Sequence, residues 1–143
     1  MKIQNVVIIG SGTMGSGIAA HLCNANIPVT LLDLKTEISE KARDRIFRSS
    51  PPLLLDKSKI NNIKIGNISD NFNVVKEADW IVEAVVERID VKHSIYKKIF
   101  EERKPGAIVS SNTSSIPIKI LSEKLTKEEK KDFCITHFFN PVR

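Results

Sequence analysis

The sequence predicts a doubly wound α/β fold, a mainly parallel sheet with helices on both faces, and three observations predict it. Short apolar, β-branched runs alternate along the chain with stretches of helical periodicity. The first run, Val6–Ile9, is apolar on both faces, as a parallel strand between two helical layers must be. Directly after it, Gly10, Gly12 and Gly15 stand at the spacing G-x-G-x-x-G, and Asp33 closes the second run.

The elements follow in order. After the strand Val6–Ile9, residues 13–24 read as a helix with Ile18, Ala19, Leu22 and Cys23 on one face. Asn26 is placed to stop it in a left-handed conformation, and Pro28 forbids its continuation. Residues 29–32 form the second strand. Thr36 reads as the cap of a second helix that reaches about Phe47, before Pro51-Pro52. Residues 53–65 suggest a short helix and a short strand, and residues 71–78 a helix. Trp80 to Val86 is a strong strand. Asp90 reads as the cap of a helix whose Val91, Ile95, Ile99 and Phe100 share a face. A strand at residues 107–110, a helix at 117–125, a charged turn at 127–131 and a last strand at 133–136 complete the chain. No repeat, linker or low-complexity segment divides it. Residues 1–143 are therefore expected to form one Rossmann-type domain.

Composition narrows the function classes. The 143 residues suffice for one domain with a real core, and 41% hydrophobic with 27% charged residues is ordinary for a globular protein. No apolar run approaches membrane-spanning length, and the N-terminus runs straight into the first strand, so neither a membrane segment nor a signal peptide is expected. Cys23 and Cys134 show no metal or redox spacing and read as buried free thiols in a reducing cytoplasm. The net charge of +5 comes from basic residues mixed with acids on helical patterns, which are solvated faces first and an attraction for polyanionic ligands second. No nucleic-acid motif is present.

The glycine segment carries specific chemistry. The first glycine allows the tight turn, the second lets backbone approach a pyrophosphate, and the third lets helix pack closely on strand. The helix that begins at Thr13-Met14 aims free N–H groups and its positive dipole end at the phosphates. Asp33 can accept from a ribose 2′-hydroxyl and would repel a 2′-phosphate, so NAD is expected over NADP, with Lys35 nearby as the opposing feature. A glycine-rich turn that binds no nucleotide is the plainer alternative. Placement strengthens the first reading. Ligands of open α/β sheets bind beyond the carboxyl ends of the strands. Gly10, Asp33, Glu83 with Glu87, Ser111 to Ser115, and His137 to Asn140 all follow such ends.

With these pieces in place, the chain resembles the NAD-binding domain of L-3-hydroxyacyl-CoA dehydrogenases. The matching segments are Gly10-Ser-Gly-Thr-Met-Gly-Ser-Gly-Ile-Ala, Asp33, Glu83-Ala-Val-Val-Glu87, Ser111-Asn-Thr-Ser-Ser115 and His137-Phe-Phe-Asn-Pro141. The resemblance implies NAD-dependent oxidation of (S)-3-hydroxyacyl-CoA to 3-oxoacyl-CoA in fatty-acid metabolism. It makes His137 the base that takes the 3-hydroxyl proton, a task that suits imidazole. Ser114 becomes the hydroxyl that bonds the reacting oxygen, and Asn140 the side chain that helps hold substrate and nicotinamide. Glu87 and Lys92 fall at positions that contact the nicotinamide half of the cofactor. Each has a structural alternative: a satisfied strand-end histidine, a helix cap at Ser114, a solvated loop acid, an exposed helix lysine.

Two departures from the family pattern stand out. The family places a carboxylate partner for the histidine shortly beyond Arg143, then a helical domain that binds acyl-CoA and forms a homodimer. Residues 36–65 are also shorter than the family's long helical arm. A piece of a longer cytoplasmic dehydrogenase is the expectation, with fusion to a hydratase domain as one form of that parent. A stand-alone NAD-binding module and a dehydrogenase of another short 3-hydroxy acid remain alternatives.

Overall fold

The computed structural model describes residues 2–142. Six strands, β1 (Val6–Ile9), β2 (Val29–Asp33), β3 (Ile63–Asn67), β4 (Trp80–Glu83), β5 (Ile108–Ser111) and β6 (Phe133–Ile135), form one sheet in the order β3-β2-β1-β4-β5-β6. Every pairing is parallel. Four helices cover it: α1 (Thr13–Asn24), α2 (Thr36–Arg48), α3 (Ile89–Glu102) and the single turn α4 (Ile118–Leu121). Strand order reverses beside β1, so the loops after β1 and β4 part there and leave a crevice outside the sheet.

Alternation along β1 divides the core. Val6 and Ile8 pack with Ile18, Leu22, Leu31, Ala42 and Ile46 under α1 and α2. Val7 and Ile9 pack with Ile81, Ile95, Tyr96, Ile99 and Val109 under α3. Both faces of β1 are buried, as its unbroken apolar run requires. Register then levels the strand ends. Ile9 lies opposite both Leu32 and Glu83, and Glu83 opposite Ser111, so the following loops leave the sheet along one edge. At the opposite edge the Asp79 carboxylate accepts from the N–H groups of Gln4 and Asn5 at 2.7 and 3.0 Å and from the Lys104 ammonium at 2.6 Å. It ties the start of β1 to that of β4.

The first strand, the first helix and the left-handed Asn26 stop (φ 60°) stand as expected. Several details differ. Lys35 and Arg88 are the residues flanking α2 and α3, so Thr36 and Asp90 lie inside the first turns and cap nothing. Thr36 instead accepts from the Asn67 amide, and Asp90 pairs with Arg88. The β4 strand stops at Glu83, because Ala84 to Val86 bend away past the glycine turn. The expected helices at residues 71–78 and 117–125 are a 3₁₀ segment at Phe72–Glu77 and the one turn α4. Cys23 is buried, but Cys134 on the last strand is only half-buried. No helix among the described residues is long and apolar enough to cross a membrane.

Candidate functional site

The glycine turn opens the site. Gly10 has φ +104°, and a side chain there would run into the Ala84 carbonyl. A Cβ on Gly15 would overlap the Gly10 carbonyl, which is the close helix–strand contact the third glycine permits. Gly12 is different: a Cβ there would meet nothing within 4 Å. The protein's own packing does not demand glycine at this point, but an incoming ligand would. Gly12 also precedes α1 without any side-chain cap, and the first turn holds no acid. The orphan N–H groups of α1 therefore face open space, which fits an anionic pyrophosphate.

Asp33 closes this turn from β2. Its Oδ2 accepts from the backbone N–H and hydroxyl of Ser11 at 2.7 and 2.6 Å, and its Oδ1 from the Leu34 N–H at 2.7 Å. The Arg45 guanidinium donates to the Ser11 carbonyl at 2.9 Å. Ser11 is thus clamped between an acid and a base, and Asp33 fixes the loop. Each carboxylate oxygen retains acceptor capacity for a further hydroxyl.

Beneath the next loop lies a buried polar cluster. Glu83, 0% exposed, accepts from the Val85 N–H at 2.9 Å and from Lys92, Tyr96 and Ser111, each at 2.6 Å. Lys92, 1% exposed, reaches on to Glu87 at 2.9 Å. Glu87 also accepts from the hydroxyls of Thr113 at 2.6 Å and Ser115 at 3.2 Å. Burial works against the charge of Glu87, but those hydroxyls and the Lys92 ammonium outweigh it and hold the carboxyl below its ordinary range. Tyr96 is displaced the other way: burial, then the Glu83 charge, push its phenol well above the usual value. Lys92 is thus a buried ion-pair member, and the exposed-lysine alternative is excluded.

Above this cluster, Met14, Glu87, Lys92, Asn112, Ser114, His137 and Asn140 line one crevice of about 340 Å³. Six of these were singled out from the sequence, and they come from α1, the β4 and β5 loops, α3 and the loop after β6. Thr13 turns elsewhere, toward a groove beside Arg45 and Ser49. His137 is held from both sides. Before it, the Thr136 N–H donates to the Ser111 carbonyl at 3.0 Å. After it, the Phe138 N–H donates to Asn112 Oδ1 at 2.9 Å, and the Phe138 ring packs against Trp80 and His21. The His137 ring itself is exposed, lies 4.7 Å from the Phe139 ring, and makes no hydrogen bond among the described residues. Ser114 is exposed and caps nothing. Thr113 does that work, its hydroxyl accepting from the N–H groups of Ser115 and Ile116 at 3.4 and 3.1 Å.

Sequence reasoning missed Asn112 as the pin of the histidine loop and Tyr96 as the floor of the cluster. A signal existed for the second. Lys92, Ile95, Tyr96 and Ile99 follow the i, i+3, i+4, i+7 spacing of a buried helix face, and all four are buried. A charged residue at the head of such a face needs a buried partner.

Comparison with known proteins bears on the whole chain. Residues 5–143 match the family described as 3-hydroxyacyl-CoA dehydrogenase, NAD binding domain. A Bacillus subtilis protein named "Probable 3-hydroxyacyl-CoA dehydrogenase" is 39% identical over 99% of this chain, which spans 20% of that protein. A Deinococcus radiodurans protein of the same name is 36% identical over 100% of this chain and 43% of its own length. The crystal structure of (S)-3-hydroxybutyryl-CoA dehydrogenase from Ralstonia eutropha superposes with a TM-score of 0.82 at 32% identity, covering 99% of this chain and 51% of that one. The chain thus spans from a fifth to about half of the length of these relatives.

Proposed function

The chain belongs to the family of 3-hydroxyacyl-CoA dehydrogenase NAD-binding domains, and from that premise we propose that it is the cofactor-binding part of an enzyme that oxidises (S)-3-hydroxyacyl-CoA to 3-oxoacyl-CoA in fatty-acid oxidation. The observation that carries this reading is the meeting of His137, Ser114, Asn140 and Glu87 in one crevice beside the glycine turn. Bound NAD would supply the hydride acceptor. The N–H groups of the first turn of α1 hold the pyrophosphate, and Asp33 accepts from the ribose hydroxyls. Glu87 and Lys92 face the nicotinamide half. His137 takes the proton of the 3-hydroxyl on a ring nitrogen free of other bonds, and returns it in the reverse reaction. Ser114 Oγ donates to the same substrate oxygen, while Asn140 restricts how substrate and nicotinamide can meet. We further propose that the whole enzyme carries a helical substrate domain, through which it dimerises, and acts in the cytoplasm.

Calorimetry with NAD tests the cofactor assignment, and lack of binding would overturn it. Reduction of acetoacetyl-CoA, followed by loss of NADH absorbance, tests the chemistry. In the whole enzyme His137→Gln should lower turnover by about 10²–10⁴-fold, the usual contribution of a general acid–base group, with NAD affinity unchanged. Near-normal turnover in that variant would make the histidine structural. NAD binding with no turnover by the whole enzyme would instead support a binding module, whereas the chain alone, without a substrate domain, is expected to turn over poorly.

A further inference from the structure

The chain carries a net charge of +5, yet its crevice carries the opposite sign. Among the residues on its wall, Glu87 and Lys92 are the acid and the base, with His137 the remaining titratable group. Lys92 is already matched from below, 2.6 Å from Glu83 against 2.9 Å from Glu87. Glu83, Lys92 and Glu87 together sum to one negative charge. Glu83 is sealed in the core by four donors. The excess therefore faces the crevice on Glu87, whose side chain is 43% exposed.

A fixed negative charge is unfavourable for the phosphates of a dinucleotide, which α1 serves elsewhere. It favours one part of such a ligand, the oxidised nicotinamide ring, which is cationic, whereas the reduced ring is neutral. We propose that Glu87 is a specificity-determining residue that makes the crevice prefer the oxidised dinucleotide over the reduced one. The inference rests on the proposed function, because it needs the ring beside the substrate carbon that His137 and Ser114 serve. Hydride transfer demands van der Waals contact between that carbon and the ring. His137, Ser114 and Glu87 share the wall of one crevice of about 340 Å³, so a ring placed at that carbon shares the space with the Glu87 carboxylate. The Thr113 and Ser115 hydroxyls and the Lys92 ammonium fix the carboxylate in advance, so no reorganisation is needed when the cation arrives. The preference also eases release of the neutral reduced form after oxidation.

The test is the ratio Kd(NADH)/Kd(NAD⁺), in which contributions from the shared phosphates and riboses cancel. Both forms are titrated into the chain by calorimetry. Glu87→Gln keeps the shape and removes the charge, and should lower the ratio by about fivefold, an effect discounted for partial exposure. Glu87→Asp keeps the charge and should leave the ratio within about twofold. Raising salt on the wild type should lower the ratio through screening, a readout that needs no variant. A ratio unmoved by both Glu87→Gln and salt, with the two forms weakened equally, overturns the proposal and leaves the cofactor reading standing. A wild type that binds neither form overturns the cofactor reading itself, and this inference with it.

Discussion

Replacing Lys92 by Met removes an ammonium and keeps most of its stem, so the volume filled on the buried face of α3 is little changed. The electrostatic consequence is large. Glu83 is 0% exposed and Lys92 1%, so neither charge is solvated by water. In the variant Glu83 retains the Val85 N–H and the hydroxyls of Tyr96 and Ser111, but loses its one opposing charge. Breaking a buried pair by removing one partner costs about 3–5 kcal/mol. The three surviving donors place Lys92→Met near the lower end, at about 3 kcal/mol, a large share of the 5–15 kcal/mol or so of a typical domain. Urea unfolding followed by circular dichroism reads this directly. With a slope of about 2 kcal/mol per molar, the midpoint should fall by about 1.5 M and the slope should hold. The double variant Glu83→Gln/Lys92→Met should recover much of the loss, because the Tyr96 and Ser111 hydroxyls can turn to accept from the new amide. A loss below about 1 kcal/mol in the single variant, or a double variant no better than the single, would refute the reading of this pair as one coupled buried charge unit.

Other expectations follow from the same geometry. The chain should bind NAD more tightly than NADP, and Asp33→Ala should cost about 1–3 kcal/mol of NAD affinity by calorimetry, with equal or tighter NADP binding refuting the assignment. Cys23, whose thiol burial pushes up to about 11 against the opposing charge of Lys59, should resist disulfide reagents at pH 8 until urea opens the core, while the half-buried Cys134 labels first. The Lys104 ammonium, then the N–H groups of Gln4 and Asn5, hold the Asp79 carboxyl at about 2 instead of 3.8. A depressed carboxyl stabilises the fold above its ordinary value and loses that contribution as pH falls through the folded one. Asp79→Asn should therefore flatten the acid limb between 3.8 and about 2, and an unchanged limb would sink the claim.

What was legible in the sequence is what local chemistry dictates. The strand Val6–Ile9, its glycine turn and the Asn26 stop each follow from steric limits that act within a few residues. Five of the strand-end segments were placed on one edge because parallel topology leaves the chain no other arrangement. The caps failed for a related reason. Thr36 and Asp90 are good capping types, but a tertiary partner, Asn67, engages Thr36, and Asp90 pairs locally with Arg88 instead. The Lys92 cluster was hidden further still. Its members stand on β4, α3 and β5, and only the sheet register sets Glu83 opposite Ser111. Val91 and Phe100 do pack, half-buried, against the same core as Ile95 and Ile99, and the spacing of Lys92, Ile95, Tyr96 and Ile99 on the deeper side of that face was readable too.

The two halves of the site solve different electrostatic problems with different materials. At the glycine turn the charge of the proposed ligand is permanent, and backbone N–H groups at an uncapped helix end would meet it without any side chain that packing could misplace. In the crevice the charge changes during the proposed reaction. Hydride accepted from the substrate would remove the positive charge of the nicotinamide ring, and the proton taken from the substrate would make the His137 ring cationic. The crevice thus keeps one positive charge throughout, carried first by the cofactor and then by imidazole. A single carboxylate faces both carriers, and a rigid one can serve both without moving. Glu87, braced by Lys92, Thr113 and Ser115, would serve that constancy in the proposed reaction. The buried Glu83–Lys92 pair beneath it acts as a foundation: an ammonium answering to Glu87 alone would cancel its charge, and one balanced from below holds it in place while leaving the crevice negative.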